Sequence, residues 1–462
     1  MRPVYQIVGA IRADIEAGRL SAGTRLLSIR SGAARYGVSK NTMSDAYDRL
    51  VAQGLLVARP GSGYFVAETD TLNTGSLQPH VVQALDTVSL LREQLIRQHE
   101  VRVGDGRLPS SWARGLDKMV RNQVATNDTM DHGYGNPWGY EPLRDHIALM
   151  LRERGIKVGS ERVLLTYGAN HALDLVARYC LNPGDVVLVD SPGYYPLFGK
   201  LQYCNIQIVG VRRGVDGPDL AELELACKTH KPKLFFTQTL AHNPTGTSAT
   251  LPVCHRILTL AEQHQFYVVE DDPFADILPV DSPRLATLDQ LARVIYVGTF
   301  SKTLSAGVRV GYVTGPEKIL SALCDLKMLT LVATSDWAER TVYDLIVRGQ
   351  YLKHLRRLKV LVQRTQKQVY RALTELGLNV FSPPSGGFYL WVLLPSELDE
   401  AAFLSAAAQR SIFIAPGSIF MPDKRVARAM RVNIAYAMDE RFLDFLRGWL
   451  RPVSGVRGAV SR

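Results

Sequence analysis

The chain of 462 residues is too long for one ordinary domain, and its composition, 46% hydrophobic and 21% charged, is typical of a folded protein. No apolar run reaches the roughly 18 residues of a membrane span, and the charged residues within 4–17 argue against a secretory signal peptide. The five cysteines are scattered without a CxxC pair, which argues against a disulfide framework or a zinc site. We therefore expect a cytoplasmic protein of two or three domains, with no metal site and no membrane partner.

The formal net charge of +10 is distributed unevenly along the chain. Residues 1–70 carry +3, residues 347–371 carry +8 and residues 451–462 carry +3, so that the remainder is net −4. A basic excess this localised favours contact with a polyanion. Within 347–371, however, leucines recur at helical spacing, and for that segment alone an ordinary solvated helix face is favoured.

Residues 1–67 predict three helices followed by a hairpin. The stretch YQIVGAIRADIEAG has apolar residues at helical spacing, and SIRSGAARYG and SKNTMSDAYDRLVAQG predict two more helices with Ser28 and Ser39 as N-caps. The stretch LLVARPGSGYFVA predicts two strands around a glycine-rich turn. This order of elements is that of a winged helix–turn–helix.

The candidate DNA-binding residues lie at the starts of the second and third helices and in the wing: Arg30, Ser39, Lys40, Asn41, Thr42, Arg59, Gly61 and Gly63. Small polar and basic side chains beside the free N–H groups of a helix start can bind a phosphate and reach base edges. Arg30 can bind a backbone phosphate or a guanine edge, and the wing glycines permit close approach to the minor groove. A winged helix that contacts only proteins is the alternative.

The stretch RLLSIRSGAARYGVSKNTMSDAYDRLVAQGLLVARPGSGYFV resembles the GntR-type DNA-binding domain over its whole length. The resemblance rests on the Leu-x-Ser-x-Arg, Val-Ser-Lys-x-Thr and Arg-x-Gly-Ser-Gly-x-Phe-Val patterns. One departure is Leu27, where the family usually has proline. The resemblance implies that residues 1–67 bind an operator in double-stranded DNA.

Residues 68–105 are polar and turn-rich at first and then include a stretch that can form a helix, which predicts a connector between two folded parts. The Gly104-Asp105-Gly106 sequence lacks the strand and the GK[ST] of a phosphate-binding loop. From 106 to 452, short apolar strands alternate with helical patterns, which predicts a doubly wound α/β domain whose ligands lie beyond the carboxyl ends of the strands. Residues 453–462 form a basic tail.

Motifs at these predicted strand ends together meet the needs of pyridoxal 5′-phosphate. Lys302 can form a Schiff base, Asp271 can pair with a pyridinium nitrogen and Asn243 can donate to a phenolic oxygen. Tyr194 offers a ring for stacking. Hydroxyls, an arginine and the turn into a helix predict a phosphate site: Gly168, Ala169, Asn170, Thr299, Ser301 and Arg309.

The order of these motifs resembles the fold-type I, aspartate aminotransferase-like family over about 110–450. The resemblance implies that Lys302 is the lysine of the internal aldimine, Asp271 the partner of the pyridine nitrogen, Asn243 the donor to the ring hydroxyl and Arg309 the phosphate arginine. In the family's YGNPWGYEPLR-like motif the tyrosine, here Tyr134, reaches the phosphate of the neighbouring subunit, which implies a homodimer.

Two further features bear on activity. The MRVNIAY segment resembles the one whose arginine, here Arg431, binds the α-carboxylate of a substrate. Phe274 stands where the family usually has a tyrosine that donates to the ring hydroxyl, and loss of that donor should change the pKa of the aldimine. Efficient transamination is therefore less expected than cofactor binding.

A GntR-type winged helix joined to an aminotransferase-like domain resembles the MocR subfamily of bacterial regulators. The resemblance implies a transcription factor that senses an amino acid or amine, or the cofactor itself, as an aldimine and so alters its contacts with DNA. Two alternatives remain open at this point: an active aminotransferase with accessory DNA binding, and a repressor whose large domain is only a dimerisation scaffold.

Overall fold

The computed structural model describes residues 3–16, 20, 21, 23–52, 55–59, 62–67, 80, 81, 84, 87, 89–96, 99–113 and 133–450. These residues fall into two compact units, within 1–78 and 79–462. No helix in the described ranges is both long enough and apolar enough to cross a membrane.

The smaller unit has the predicted order of three helices and a two-stranded wing. Its helices are α1 (Pro3–Glu16), α2 (Ile29–Tyr36) and α3 (Lys40–Ala52), and its strands are β1 (Leu56–Arg59) and β2 (Gly63–Val66). The strands pair antiparallel, from Leu56 opposite Val66 to Arg59 opposite Gly63. One face of each element closes a small core, formed by Ile7, Val8, Ile11, Ala33, Met43, Ala46, Tyr47, Leu50, Leu56 and Val66.

Local chemistry fixes the ends of the two helices of the helix–turn–helix. Ser28 caps α2 by accepting a hydrogen bond from the Ser31 N–H, and α2 ends at Gly37, whose φ of 64° favours glycine. The hydroxyl of Ser39 accepts from the Thr42 N–H at 3.1 Å and so caps α3. The turn between α2 and α3 is bounded by Gly37, which ends α2, and by Ser39, which caps α3.

The larger unit alternates strands and helices as predicted. Its helices are α4 (Ser89–Ile96), α5 (Glu141–Glu153), α6 (Ala169–Cys180), α7 (Tyr195–Tyr203), α8 (Leu220–His230), α9 (Leu251–Gln263), α10 (Leu285–Asp289), α11 (Glu317–Leu331), α12 (Asp336–Val347), α13 (Gln350–Glu375), α14 (Glu400–Gln409) and α15 (Glu440–Leu450). Short 3₁₀ turns cover Ser110–Ala113, Ser160–Arg162 and Gly417–Phe420.

The main sheet contains β3 (Leu164–Thr166), β4 (Val186–Ser191), β5 (Gln207–Gly214), β6 (Gly217–Pro218), β7 (Leu234–Thr237), β8 (Tyr267–Asp272), β9 (Val294–Thr299) and β10 (Gly311–Thr314). The strand order is β3-β10-β9-β8-β7-β4-β5-β6. The five central strands from β9 to β5 are parallel, whereas β10 and β6 run antiparallel to their neighbours. The predicted α/β fold is confirmed, with a mixed sheet in place of a wholly parallel one.

A second, antiparallel sheet was not predicted as a unit. It consists of β11 (Asn379–Val380), β12 (Tyr389–Leu393), β13 (Ala415–Pro416) and β14 (Ala429–Asn433), in the order β11-β12-β14-β13. The end of the predicted connector packs here: Val101 and Val103 are buried, and the Gly104 N–H donates to the Phe413 carbonyl at 2.7 Å. Val101 and residues 103–105 are therefore buried in the larger unit.

Candidate functional site

An open cleft of about 510 Å³ lies at the carboxyl ends of the central strands. Its lining brings together most of the predicted cofactor residues with three that were not predicted: Ala169, Asn170, Tyr194, Gln238, Asn243, Asp271, Pro273, Phe274, Thr299, Ser301, Lys302, Arg309 and Tyr389. Ten of these thirteen lining residues were predicted from the sequence.

Lys302 follows the end of β9 and extends into the cleft. Its Nζ donates to the carbonyl oxygen of Gly106 at 2.5 Å. The same carbonyl accepts a hydrogen bond from the Tyr389 hydroxyl at 3.1 Å. The amine and a phenol are therefore held against one backbone oxygen.

Asp271, at the end of β8, is a buried carboxylate with one unsatisfied oxygen. Its Oδ2 accepts from Gln238 Nε2 at 2.6 Å, but Oδ1 is buried and has no hydrogen-bond partner in the described structure. Burial raises the pKa of Asp271 from 3.8 to about 6; the Gln238 hydrogen bond opposes the rise and the Asp272 charge adds to it. A buried acceptor left open in this way is suited to an N–H donor from a ligand.

Asn243 is fixed by its backbone and by one side-chain atom. Its N–H donates to Gln238 Oε1 at 2.7 Å, and its Oδ1 accepts from Arg431 Nη1 at 2.9 Å. The amide nitrogen has no hydrogen-bond partner among the described residues and remains available as a donor. Its predicted role of donating to a ring oxygen remains a prediction.

One end of the cleft has the properties of an anion site. Arg309, at φ 54°, donates from Nη2 to the Tyr167 carbonyl at 2.9 Å and passes close to Gly168. A β-carbon at Gly168 would lie 3.1 Å from Arg309 Nη2, and φ of 75° at this position also favours glycine. Gly168 precedes α6, whose first N–H groups lack intrahelical partners, and the hydroxyls of Thr299 and Ser301 are 3.1 Å apart nearby in the lining.

Two aromatic residues line the middle of the cleft. Tyr194 precedes α7, and burial, with a smaller contribution from the Asp271 charge, raises its pKa above the ordinary range. Phe274 is fully buried and packs edge-on against Phe388 and Tyr389, with ring centroids 5.0 and 5.8 Å away. Phe274 has no hydroxyl, but the neighbouring Tyr389 contributes a phenol to the same lining.

Arg431, predicted to bind a carboxylate, is buried beside the cleft and does not line it. Its guanidinium lies 4.6 Å from the ring centroid of Tyr389 and 5.0 Å from that of Phe420. Besides Asn243 it donates to the carbonyl of Gly104 at 2.7 Å, while its buried Nε has no partner in the described structure. The Arg431 guanidinium, which was predicted to bind the carboxylate of a ligand, therefore donates to acceptors within the protein.

Tyr134 does not line the cleft of its own chain. Its side chain is 81% exposed. Its predicted role, to reach the phosphate site of a neighbouring subunit, requires a second copy of the chain and remains a prediction.

Three functional features were missed from the sequence: Gln238, Tyr389 and the 104–106 segment (Gly104–Gly106). Gln238 connects Asp271 to Asn243, and the 104–106 segment contacts both Lys302 and Arg431 through its carbonyls. The PSGGFYLW stretch that contains Tyr389 resembles a strand near the substrate in the aminotransferase-like family, and that resemblance is a signal that points to Tyr389. Backbone acceptors leave no trace in side-chain patterns.

The candidate DNA-binding surface in the smaller unit is exposed. Arg30, Ser39, Lys40, Asn41 and Arg59 are exposed and Thr42 is half-buried, whereas Gly61 lies outside the described residues. The Arg59 guanidinium lies 4.8 Å from the centroid of the Phe65 ring, and Gly63 has φ of 101°. The start of α3 and the wing thus present basic and small residues to solvent.

Two family models match the chain. Residues 3–66 match the bacterial regulatory proteins of the gntR family, and residues 98–446 match the aminotransferase class I and II family. The HTH-type transcriptional regulator NorG of Staphylococcus aureus is 27% identical over 436 residues, covering 90% of this chain and 96% of its own. The uncharacterized HTH-type transcriptional regulator YdfD of Bacillus subtilis is 28% identical, covering 94% and 93%.

Solved structures match the larger unit. LysN, an α-aminoadipate aminotransferase of Thermus thermophilus, superposes with a TM-score of 0.72 at 25% identity, over 80% of this chain and 96% of its own. The kynurenine aminotransferase of Pyrococcus horikoshii gives a TM-score of 0.71 at 25% identity, over 78% and 92%.

Proposed function

Because the chain belongs to the aminotransferase class I and II family and begins with a gntR-family domain, we propose that it is a pyridoxal-phosphate-dependent transcriptional regulator of the MocR type. The observation that carries the proposal is the Lys302–Asp271 cleft, present in the same chain as a winged helix with exposed basic residues. The match to transcriptional regulators over nearly the whole chain supports a regulator over an enzyme with accessory DNA binding.

The residues of the cleft fit pyridoxal 5′-phosphate. Asp271 Oδ1 would accept the ring N–H, Asn243 would donate to the ring hydroxyl and Tyr194 would stack on the ring. The phosphate would bind Arg309, Thr299, Ser301 and the start of α6 at Gly168, Ala169 and Asn170. Bound there, the cofactor would supply an aldehyde that condenses with primary amines, that of Lys302 first. Structures of LysN with N-(5′-phosphopyridoxyl)-L-leucine and of the kynurenine aminotransferase with PMP support this assignment.

The active form is a homodimer in this proposal. Tyr134 would reach the phosphate site of a second copy of the chain. A side chain at the adjacent Gly135 would contact Asp336, and the next residue, Trp337, is exposed. Tyr134, Trp337 and the exposed Leu329 of α11 are large apolar side chains that a second copy would cover.

The effector is an amino acid or another amine. Arg431 would bind a carboxylate, because it is a buried guanidinium. Among the described residues its Nε lacks a partner and its other nitrogens bond only to neutral acceptors. A carboxylate is a stronger partner for a guanidinium than an amide or a backbone carbonyl. The ligand would therefore displace the Gly104 carbonyl from Arg431.

Ligand binding would reach the rest of the chain through the 104–106 segment. Its Gly106 carbonyl accepts a hydrogen bond from Lys302, and its Gly104 carbonyl accepts one from Arg431. The cofactor would compete with the first carbonyl for Lys302, and a carboxylate ligand would compete with the second for Arg431. The Asp105 side chain is anchored by Arg102 and Gln94, which lie earlier in the chain. Loss of the two carbonyl contacts would change how this segment, which follows the connector to the winged helix, is held against the cleft.

On the DNA side, the start of α3 would enter the major groove. Ser39, Lys40, Asn41 and Thr42 would contact phosphate and base edges, Arg30 would bind phosphate or guanine, and the wing with Arg59, Gly61 and Gly63 would approach the minor groove. The hydrogen-bonded cap at Ser39 supports this arrangement because it fixes the helix start.

Absorbance spectra of the wild type and of Lys302→Ala, each titrated with pyridoxal 5′-phosphate and then with amino acids, test the cofactor site. We expect a near-visible band in the wild type that Lys302→Ala lacks, and a shift of that band with one class of amine. A wild type that stays colourless after cofactor addition contradicts the proposal. Conversion by an amino acid that a keto acid reverses, over repeated cycles, would favour the aminotransferase alternative, which the complete Lys302–Asp271–Asn243 set permits.

A further inference from the structure

Helix α13 presents exposed cations along one face. Six exposed residues at spacings of three, four or seven positions are basic, and the exposed Val360 interrupts them: Lys353, Arg356, Arg357, Arg364, Lys367 and Arg371. The opposite face, which includes Leu355, Leu358 and Val362, is buried in the core of the larger unit. These six residues are called the basic stripe, and they span about 27 Å along the helix.

The basic stripe has no acidic counterpart. No member of the stripe forms an ion pair with any residue in the described ranges, and the first acidic residue of α13 is Glu375, its last. Several exposed cations elsewhere in the larger unit do pair with neighbouring carboxylates, as Arg178 does with Asp174 and Lys228 with Glu224.

Folding alone does not account for this pattern. Cations three and four residues apart on a helix repel one another, and Lys353, Arg356 and Arg357 lie near the helix N-terminus, where the backbone dipole favours anions. A merely solvated face would be more stable with both signs of charge. The stripe thus has an electrostatic cost within the monomer that an external polyanion would offset.

The charge distribution identifies the polyanion. Residues 347–371 carry +8, whereas residues 1–70, which include the winged helix, carry only +3. Affinity for DNA depends largely on how many phosphates the protein neutralises, and the basic stripe would add six cations to those of the winged helix. A duplex has one phosphate per 3.4 Å of each strand along its axis, so a stripe about 27 Å long runs beside roughly eight base pairs.

We propose that the basic stripe of α13 is a second DNA-binding surface, which contacts the phosphate backbone of duplex DNA flanking the sequence read by the winged helix. The inference rests on the proposed function, since it requires a protein that binds DNA. The stripe contributes affinity and salt dependence but no base recognition, because its side chains neutralise phosphates along a helix face.

The test compares two full-length variants with equal charge loss. The stripe variant carries Arg357→Gln, Arg364→Gln, Lys367→Gln and Arg371→Gln, and glutamine keeps nearly the same helix propensity. The control variant carries Arg178→Gln, Lys228→Gln, Arg441→Gln and Arg447→Gln, at exposed cations that pair with carboxylates. Fluorescence anisotropy on a long duplex, selected from a random pool by the wild type, gives the dissociation constant as a function of salt.

The stripe variant should lower the slope of log affinity against log salt by about 3, bind at least tenfold more weakly at low salt, and keep the wild-type sequence preference. The control variant should behave as the wild type. Equal slopes for the stripe and control variants overturn the proposal, whatever other acidic partner the stripe binds. A third variant, Arg30→Ala with Lys40→Ala, separates the two claims: if it loses sequence preference while the stripe variant keeps the wild-type slope, only the second surface is rejected. A wild type that binds no duplex rejects the proposed function itself.

Discussion

At the scale of single residues, the chemistry of the site is concentrated in one half-satisfied carboxylate. Asp271 is buried, and only one of its oxygens is hydrogen-bonded in the described structure. Such a group is costly in the cofactor-free protein, because a buried charge without full hydrogen bonding is penalised by desolvation. A ligand N–H that bonds to the open oxygen would reduce this desolvation cost. The same desolvation raises the pKa of Asp271.

The raised pKa predicts a pH dependence of stability. In the folded protein Asp271 takes up a proton near pH 6, whereas in the unfolded chain it does so near 3.8. Between these values the folded state binds more protons, so its contribution to the free energy of unfolding rises as pH falls through 6. Between pH 8 and pH 5, the cofactor-free wild type should gain about 1 kcal/mol more than Asp271→Asn. Denaturant unfolding of both proteins at the two pH values measures the difference, and parallel profiles would show that Asp271 is ionised normally.

At the scale of elements, each of the two candidate sites includes the N-terminus of a helix. Ser39 caps α3 where DNA contacts are proposed, and Gly168 precedes α6 where the phosphate would bind. In both places backbone N–H groups and a short side chain lie at a helix N-terminus, which suits an anion. The same local chemistry thus supports two different partners.

The cap of α3 is testable by itself. Ser39→Ala removes the acceptor of the Thr42 N–H and should destabilise α3 by about 1 kcal/mol. Amide hydrogen exchange in residues 40–52 of the full chain should therefore become roughly fivefold faster. Ser44→Ala, in the middle of the same helix, serves as the control and should not accelerate exchange, because alanine is the better helix former there. Equal exchange in both variants would argue against the cap.

Elements and strand-end residues were predictable because their signals are local. The apolar runs before Asp271 and Lys302 predict β8 and β9, and the polar residues that follow them are where parallel strands place ligands. The predicted combination of a GntR-type domain with an aminotransferase-like domain is confirmed. The contact of Tyr389 with Gly106 joins residues 283 positions apart and has no local signal. The antiparallel direction of β10 also depends on long-range pairing.

At the scale of the whole molecule, regulation is a coupling free energy between the cleft and the DNA-binding surface. A ligand alters DNA affinity only if it binds differently to two arrangements of the chain. In the proposed mechanism the 104–106 segment would supply such a difference, since its carbonyls accept hydrogen bonds from Lys302 and Arg431, which the cofactor and a carboxylate ligand would also bind. Coupling of 1–3 kcal/mol would change DNA affinity about 5- to 150-fold.

The most direct test is the dissociation constant of the full-length protein for its selected duplex, measured with and without pyridoxal 5′-phosphate and across a panel of amino acids and amines. For the wild type, at least one combination should change the dissociation constant at least about fivefold. Lys302→Ala should bind the same duplex but not respond. A dissociation constant that stays the same for the wild type across the whole panel, or a Lys302→Ala protein that responds as the wild type does, would contradict a regulator governed by this cleft.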